Sequence, residues 1–303
     1  MNRAMNTIRT MHGRGTVTAP YTSNRPKALE LVQAHSQSEF SNNIDGIMAT
    51  ISADVYYVVP DLKTETDQLV ILTDRSQVRN AYVLERQMFD ILASDHLVEV
   101  SSEFFVFYES LATIRAQASS ESMVVNSAVL FPVREDGIVG EMVWSNGSLG
   151  KKVRIPSAGE GVPVAVAASD THAARAANLA AHELLITAWR NGDADGIANL
   201  VSNTCQWIIR DHRNEPDPVT RLATREAVRA WYEERIGQTP IQDLLVLSRV
   251  VQHWYVYAEY QWSYAPVSGD RPVQVRCAAI HPVKEPGMFG GMIGYEASID
   301  NVG

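Results

Sequence analysis

The sequence is poor in cysteine and has no cluster of basic residues. Its two cysteines, Cys205 and Cys277, are too few for a disulfide framework and show no CxxC or Cys/His metal spacing. We interpret both as buried thiols in a reducing compartment and expect no metal site. The formal net charge of −9 and the scattered Lys and Arg residues argue against a nucleic-acid partner, because phosphate binding depends on clustered positive charge.

Long apolar runs and common cofactor motifs are also missing. No run approaches the ~18 apolar residues that a membrane-spanning helix needs, so we expect no membrane partner. Residues 1–24 lack the apolar stretch of a secretory signal and are interpreted as an N-terminal arm, with the cytoplasm as the location. GxGxxG, the P-loop, GxSxG and HExxH do not occur, and the histidines are scattered. We therefore expect no cofactor.

The sequence does contain an internal repeat at an offset of 150 residues. Residues 45–82 and 195–232 align without a gap and share 12 identities in 38 positions. The same offset aligns EFFVFYE with HWYVYAE and AVLFPVREDG with AAIHPVKEPG. Self-similarity at a fixed period indicates duplication. We predict domains at 25–150 and 171–303, joined by a linker at 151–170 that is rich in Gly, Pro, Ala and Ser.

Each copy shows the same order of predicted elements. Apolar residues at helical spacing predict a long first helix, at 26–40 and again at 173–190. A short second helix follows, with Asn43 or Asp193 as its N-cap. A strand, a polar loop, a third helix at 76–92 in the first copy, and four strands complete the order α-α-β-α-β-β-β-β. This order predicts the α+β class, with the helices packed on one face of a curved antiparallel sheet.

The predicted order resembles that of the nuclear transport factor 2 superfamily, and in particular its SnoaL-like, polyketide-cyclase-like branch. WRNGDADGIANLVSNTCQWIIRD and ASDHLVEVSSEFFVFYESLATIRA carry the resemblance, which extends over about residues 26–146 and 173–298. It implies two tandem cone-shaped α+β barrels, each with three helices on a curved antiparallel sheet around an apolar pocket. The superfamily includes isomerases, dehydratases, epoxide hydrolases, cyclases, lyases and binding proteins, so the fold does not give the function.

His96 is the main catalytic candidate. It matches a His that opens the second strand in the SnoaL-like branch, and it shares a strand face with Val98 and Val100. A His in an apolar pocket can act as general acid or base near neutral pH; the alternative is a buried structural His. Its counterpart in the second copy is Val246, which cannot transfer a proton. We therefore expect one working site instead of two identical ones.

Four other residues complete the predicted catalytic group. Tyr57 lies where the family has a pocket-lining aromatic, and Asp61 on the same strand face lies at the pocket mouth unless it is a loop cap. Tyr82 on the third helix either donates a hydrogen bond to a developing oxyanion or packs against the sheet. Glu85 is its charged neighbour and needs a partner such as His96. The residues predicted to contact the ligand are Phe89, Asn126, Trp144, Trp207, Arg276 and His281.

Aromatic residues occupy both faces of the strands at 103–110 and 254–266. Both faces should therefore be covered, and we expect the two copies to pack sheet to sheet as an intrachain pseudo-dimer. In that arrangement the aromatics form an interface core and not a ligand cage. A homo-oligomer is a further possibility.

These observations predict a cofactor-independent lyase or isomerase that applies general acid/base chemistry to a bulky, mostly apolar, aromatic small molecule. By analogy with duplicated members of the superfamily, a lignin-derived diaryl diol is a candidate substrate. One alternative is a non-catalytic small-molecule-binding or scaffold protein. Another is a hydratase or epoxide hydrolase, which would need an Asp/Arg/Asp set in one pocket.

Overall fold

The computed structural model describes residues 16–18, 25–118, 122–147, 149, 153, 168–212, 219–265 and 272–298. These residues form two compact units. One lies within 25–153, and the other comprises 168–298 together with strand β1 (Thr16–Thr18). The predicted arm and linker lie mostly outside the described residues, so the predicted domain bounds stay a prediction. No helix in these ranges is long and apolar enough to cross a membrane.

The first unit has its helices and strands in the expected general order. Asn43 caps the second helix as predicted, its side chain accepting the N–H of Gly46. Asp74 caps the third helix by accepting the N–H of Ser76. The helices are α1 (Arg25–Phe40), α2 (Ile44–Thr50) and α3 (Arg75–Met88). The strands are β2 (Tyr57–Pro60), β3 (Leu69–Leu72), β4 (Phe89–Ser101), β5 (Phe105–Ala116), β6 (Ser122–Arg134), β7 (Gly137–Ile138) and β8 (Met142–Ser145).

The second unit repeats this arrangement. Asp193 is the predicted N-cap of its short helix, and its side chain accepts the N–H of Gly196. The helices are α4 (Ala168–Asn191), α5 (Ala194–Ala198) and α6 (Arg225–Gln238). The strands are β9 (Val201–Arg210), β10 (Val219–Thr224), β11 (Ile241–Val251), β12 (Tyr255–Tyr264), β13 (Val273–Glu285) and β14 (Met288–Ser298).

Each unit contains one mixed sheet. The strand order is β3-β2-β8-β6-β5-β4 in the first unit, with β7 paired to β6, and β1-β11-β12-β13-β14-β9-β10 in the second. All neighbouring strands in these orders are antiparallel except β2–β8 and β14–β9, which are parallel. The α+β class is confirmed. The prediction of a fully antiparallel sheet is wrong, because one strand pair in each unit is parallel. In that pair the strand that follows the second helix of a copy lies beside the last strand of the same copy.

Two local predictions are also corrected. The stretch that was predicted as a polar loop before the third helix contains β3 or β10, because pairing with β2 or β9 stabilises strands too short to show a clear period. The third helix of the first unit ends at Met88 and not at residue 92. Phe89 has extended backbone angles (φ −158°, ψ 158°) and starts β4, where it pairs with Ala116. Sheet pairing therefore overrides the helical spacing of the sequence here.

The core of the first unit lies between the helices and one face of the sheet. Alternation along β5 places Val106 and Tyr108 on this face. The three helices contribute Val32, Ile47 and Val78, which are fully buried. Burying a side chain of this size contributes about 1.5–3 kcal/mol. The packing does not fill the whole space, and the remaining volume forms the site described next.

Candidate active site

A cavity of about 800 Å³ lies inside the first unit, lined by residues of α1, α3 and the sheet. This volume is within the range of roughly 300–1,000 Å³ typical of small-molecule sites. Apolar side chains form most of its wall. The structure brings six of the predicted site residues to the lining: Tyr57, Asp61, Tyr82, Glu85, Phe89 and His96.

Asn126 and Trp144 do not line this cavity. Asn126 stands on β6 between Val125 and Ser127, which both line it, so strand alternation places Asn126 on the opposite face. There its amide nitrogen lies 3.4 Å from a carboxylate oxygen of Glu109. Trp144 on β8 likewise follows a lining residue in the strand. For these two residues the structure offers no contact with a ligand in the cavity.

Tyr82 lies at the centre of a buried hydrogen-bonded chain. Its hydroxyl is 2.8 Å from Glu141 Oε2 and 3.0 Å from His35 Nε2. His35 Nδ1 is 2.6 Å from the hydroxyl oxygen of Thr50, which in turn donates to the carbonyl of Ile47. Helices α1, α2 and α3 and the residue before β8 thus each contribute to one chain of polar groups, of which Tyr82 and Glu141 line the cavity.

The position of each proton in this chain follows from which groups can donate and which can only accept. Burial lowers the pKa of His35 to about 4, so the ring is neutral at neutral pH and carries one N–H. Because the Thr50 proton goes to Ile47, His35 donates through Nδ1, and Nε2 is an acceptor. Tyr82 has a single proton and faces acceptors on both sides when Glu141 is ionised. It donates to His35 when Glu141 is protonated and can turn to Glu141 when it is not.

Three carboxyl groups at this wall have raised pKa values. Burial raises the pKa of Glu141 to about 7; the Tyr82 hydrogen bond and Arg86 act against this shift, while Glu85 adds to it. The pKa of Glu39 is raised well above its ordinary value by burial and by the charges of Glu141 and Glu85. Burial also raises the pKa of Glu85, opposed by Arg86. A carboxyl group with a pKa near 7 can give or take a proton at neutral pH.

His35, Glu39 and Glu141 also offer ligand atoms that lie within 4.8 Å of one another, as a metal site would. His35 is oriented for this by its Nδ1 contact with Thr50, since metal-binding histidines usually donate their other N–H. The Tyr82 hydroxyl, however, is within hydrogen-bond distance of both His35 and Glu141. It therefore bonds to the same groups that a metal would need.

His96 lines the cavity but is exposed, in contrast to the buried His35. Its ring stacks on Tyr108, with ring centroids 4.0 Å apart and an interplanar angle of 21°. Partial burial lowers the pKa of His96, and Asp95 opposes that shift. The structure thus places His96 on the sheet side of the cavity, stacked on Tyr108. A β-bulge between His96 and Val98 interrupts the strand alternation that grouped these two residues.

Tyr57 and Asp61 differ in their surroundings. Tyr57 is 1% exposed, and its ring meets that of Tyr82 edge to face at 6.4 Å. Burial raises the pKa of Tyr57 well above its ordinary value, with Glu141 and Glu39 adding to the shift. Asp61 is partly exposed and accepts the N–H of Lys63 at 2.9 Å. This local turn contact is the capping role considered for Asp61, at a position that also lines the cavity.

His35, Glu39 and Glu141 were not among the predicted site residues. The first two lie four residues apart in AHSQSEF, and Glu141 interrupts an apolar run in GIVGEMVW. Comparison of the two copies could have singled out the helix pair, because Leu185 and Trp189 stand at the matching positions. Glu141 is harder to find because the copies differ in length before β8.

Comparison with known proteins identifies the second unit. A SnoaL-like domain model matches residues 182–288. This unit is a SnoaL-like domain. The first unit repeats its order of elements, so the chain carries two tandem units of this fold. No curated protein matches the chain.

Among solved structures, an NTF2-like protein from Anabaena variabilis matches at 17% identity and a TM-score of 0.34, covering 44% of this chain and 98% of that chain. A hypothetical protein with a ketosteroid isomerase-like fold from Catenulispora acidiphila, in complex with trimethylamine, also matches, at 17% identity and a TM-score of 0.34. That match covers 44% of this chain and 88% of that chain. An NTF2-like protein from Burkholderia xenovorans LB400 matches at 11% identity and a TM-score of 0.34, covering 41% of this chain and 93% of that chain.

The interior of the second unit, which we call the second SnoaL-like domain, is filled by side chains. Strand pairing aligns β5 with β12 at an offset of 150, so Tyr260, Trp262 and Tyr264 replace Ser110, Ala112 and Ile114 of the cavity wall. All three aromatic side chains belong to the core of the second SnoaL-like domain. These three side chains therefore pack inside this unit, and the interface core predicted for the aromatics of 103–110 and 254–266 as a whole stays a prediction. The space left beside Tyr260 is about 10 Å³, close to that of a single water molecule.

Glu141 also has an apolar counterpart. A Cβ on Gly140 would overlap the carbonyl of Tyr56, and a Cβ on Gly291 would overlap that of Gln206. These two glycines therefore occupy equivalent places in the parallel strand pairs. The residue after Gly291 is Met292, which belongs to the core of the second SnoaL-like domain. The second interior thus lacks both the space and the carboxyl group found at Glu141.

A buried ionic network occupies part of the second SnoaL-like domain. Arg235 binds Asp211 (3.1 Å) and Glu296 (2.7 Å), and His212 Nδ1 lies 3.0 Å from Glu296. This is the acid/Arg/acid combination considered for epoxide hydrolysis. The side chains of Asp211, Arg235 and Glu296 are at most 2% exposed, and the adjoining space is about 10 Å³. These ion pairs therefore lie inside the core, and the space beside them is too small for a substrate.

Trp207, Arg276 and His281 lie in the second SnoaL-like domain and not at the cavity. Trp207 is fully buried against His281, with ring centroids 6.3 Å apart. His281 Nε2 is 2.9 Å from the Tyr260 hydroxyl. Arg276 NH2 lies 3.4 Å from Glu259. The structure thus brings six of the predicted residues together at the first-unit cavity, and these three are not among them.

Proposed function

We propose that the first unit is a cofactor-independent enzyme of the lyase or isomerase type that moves a proton on a bulky, mostly apolar, aromatic small molecule. The observation that carries the proposal is the Glu141 carboxyl group, whose pKa of about 7 is set at the wall of an 800 Å³ cavity. General acid/base catalysis by such a group contributes roughly 10²- to 10⁴-fold in rate. A lignin-derived diaryl diol, predicted by analogy, has no carbonyl group to acidify a C–H bond and would need a different reaction from the ketone chemistry proposed for Glu141.

In the proposed reaction, ionised Glu141 removes a proton from a carbon next to a substrate carbonyl. Before the transfer, the Tyr82 hydroxyl can donate to Glu141. Once Glu141 is protonated, its O–H donates to Tyr82, and the Tyr82 proton is free to turn to His35 or to the developing substrate oxyanion. Return of the proton to another carbon completes an isomerisation. Departure of a leaving group in its place completes a lyase reaction.

This scheme assigns the proton transfer to Glu141 and gives His96 no direct part in it. Glu141 belongs to the buried polar chain, whereas His96 is exposed and stacks on Tyr108. In this scheme Tyr57 and Tyr82 keep their predicted roles of orienting the ligand or polarising its oxygen, and their places beside Glu141 support the proposal. Asp61 lines the cavity but has no assigned step in this proton transfer. The predicted pseudo-dimer and homo-oligomer stay predictions.

The competing function is ligand binding without turnover, which the apolar lining alone would serve. We propose to separate the two with deuterium exchange at the α-carbon of 2-tetralone and other aromatic ketones of two to four rings, followed by NMR. The wild type should exchange at least one ketone faster than buffer, and Glu141→Gln should slow this by about 100-fold. Glu30→Gln, an exposed position on α1, is the matched control. Ligand-induced stabilisation without exchange in the wild type would support the binding function.

A further inference from the structure

The cavity has a second polar patch, formed on β4 and β5 by His96, Tyr108 and Ser110. Tyr108 is 2% exposed, and its hydroxyl has no hydrogen-bond partner among the described residues. His96 pairs with Ser110 across the strands and stacks on Tyr108, which fixes the ring of the tyrosine. A buried hydroxyl without a partner favours any ligand atom that can accept its proton.

An apolar ring separates this patch from the Tyr82–Glu141 pair. The ring centroid of Phe131 lies 6.1 Å from that of Tyr108 and 5.9 Å from that of His35, which contacts Tyr82. Phe131 also lines the cavity. A ligand that reaches both polar groups must therefore present an apolar middle section to Phe131.

The second SnoaL-like domain is an internal comparison for this patch. Strand register places Val246, Ala258 and Tyr260 where the first unit has His96, Tyr108 and Ser110. The filled unit has thus lost both the Tyr108 hydroxyl and the carboxyl group of Glu141. Both polar groups occur in the unit that is open, which indicates that they serve a ligand and not the fold.

We propose that the cavity selects ligands with two polar ends joined by an apolar section, one end at Tyr82 and Glu141 and the other an oxygen that accepts a hydrogen bond from Tyr108. The assignment of the reacting end rests on the proposed function. Burial raises the pKa of Tyr108, so its hydroxyl stays a donor at neutral pH. The recognised group is therefore an acceptor, such as a carbonyl, ether or hydroxyl oxygen.

The test uses probe pairs that differ by one acceptor. They are phenol and 4-hydroxyacetophenone, 4-hydroxybiphenyl and 4-acetyl-4′-hydroxybiphenyl, and 4-hydroxystilbene and 4-acetyl-4′-hydroxystilbene, with affinities measured by calorimetry. In at least one pair the wild type should bind the acetyl compound about tenfold more tightly. Tyr108→Phe should remove this difference and leave the affinity for the compound without the acetyl group unchanged.

Tyr232→Phe, the same substitution in the core of the second SnoaL-like domain, is the control and should keep the tenfold ratio. Melting temperatures check that both variants fold. The proposal is overturned if no pair shows a gain from the acetyl group, or if Tyr108→Phe leaves that gain intact. Failure of the proposed function looks different. It would appear as ketone exchange that Glu141→Gln does not slow, whatever the probe pairs show.

Discussion

At the scale of single residues, the Tyr82 hydroxyl influences the protonation of Glu141. Its hydrogen bond lowers the pKa of Glu141 against the larger effect of burial. Tyr82→Phe removes this bond but keeps the ring, so the pKa of Glu141 should rise above about 7. NMR titration of side-chain carboxyl carbons labelled with ¹³C measures the shift. A pKa that falls or stays the same would contradict the hydrogen-bonded chain.

Arg86 provides an independent test of the same carboxyl group. Its positive charge lowers the pKa of Glu141 and Glu85. Arg86→Met should therefore raise both pKa values without touching the Tyr82 bond. The same titration detects this change.

The sequence could predict part of this residue-level picture. Tyr57, Tyr82 and Glu85 follow from strand alternation and helical spacing, which depend on near neighbours. Glu141 lies 59 residues from Tyr82, and His35 lies 47 residues away. Their proximity depends on how three helices and the last strand pack together. No local pattern encodes that packing.

At the scale of elements, strands β5 and β12 decide which interior is open. Ser110 and Ala112 leave space in the first unit, whereas Tyr260 and Trp262 fill the second. Introducing Ser110→Tyr together with Ala112→Trp should abolish binding of 2-tetralone while the protein still folds. Calorimetry measures binding, and Ala93→Trp at an exposed β4 position is the control. Binding that survives the double substitution would place the ligand elsewhere.

The reverse change tests the filled unit. Trp262 is 1% exposed and contacts the guanidinium of Arg235 at 4.8 Å from its ring centre. Trp262→Ala should lower the free energy of unfolding by about 3–5 kcal/mol, because it creates a cavity and removes this contact. Urea unfolding measures the loss. A change below about 1 kcal/mol would show that this interior tolerates empty space.

Element prediction from the sequence succeeded where the signal is local. Asn43 and Asp193 were found because an N-cap needs only its own short side chain and the next turn. The parallel pairs β2–β8 and β14–β9 could not be found this way. Their close approach depends on Gly140 and Gly291 meeting carbonyls from a distant strand. Phe89 was misplaced for a related reason, since pairing with β5 decides its backbone.

At the scale of the whole molecule, the two units should respond to pH in opposite directions. Glu39, Glu85 and Glu141 have raised pKa values, so the first unit loses stability as pH rises from about 4.5 towards 7. The lowered pKa of His35 has the opposite effect on the stability of this unit, but the three carboxyl groups outweigh this one residue. In the second unit, burial lowers the pKa of the two core histidines. These residues are His182 and His281.

The second unit should therefore keep its full histidine contribution above about pH 6.5 and lose it as pH falls towards the folded pKa of about 3 of His281. Five of the six tryptophans lie in this unit, with Trp144 in the other, so tryptophan fluorescence reports mainly on it. Its urea midpoint should be lower at pH 5 than at pH 7. Hydrogen exchange of peptides from the first unit should show the opposite trend. Parallel trends in both units would contradict the assignment.

The proposed function makes Glu141 the group that takes the proton from the substrate. The pH dependence of α-carbon deuterium exchange tests it most directly, measured side by side for the wild type, Glu30→Gln and Glu141→Gln. The wild type and the Glu30 variant should show a rate that rises to a plateau with a midpoint near pH 7, because the ionised carboxylate takes the proton. Glu141→Gln should lose this step and about 100-fold in rate. An unchanged profile in Glu141→Gln would show that another group takes the proton.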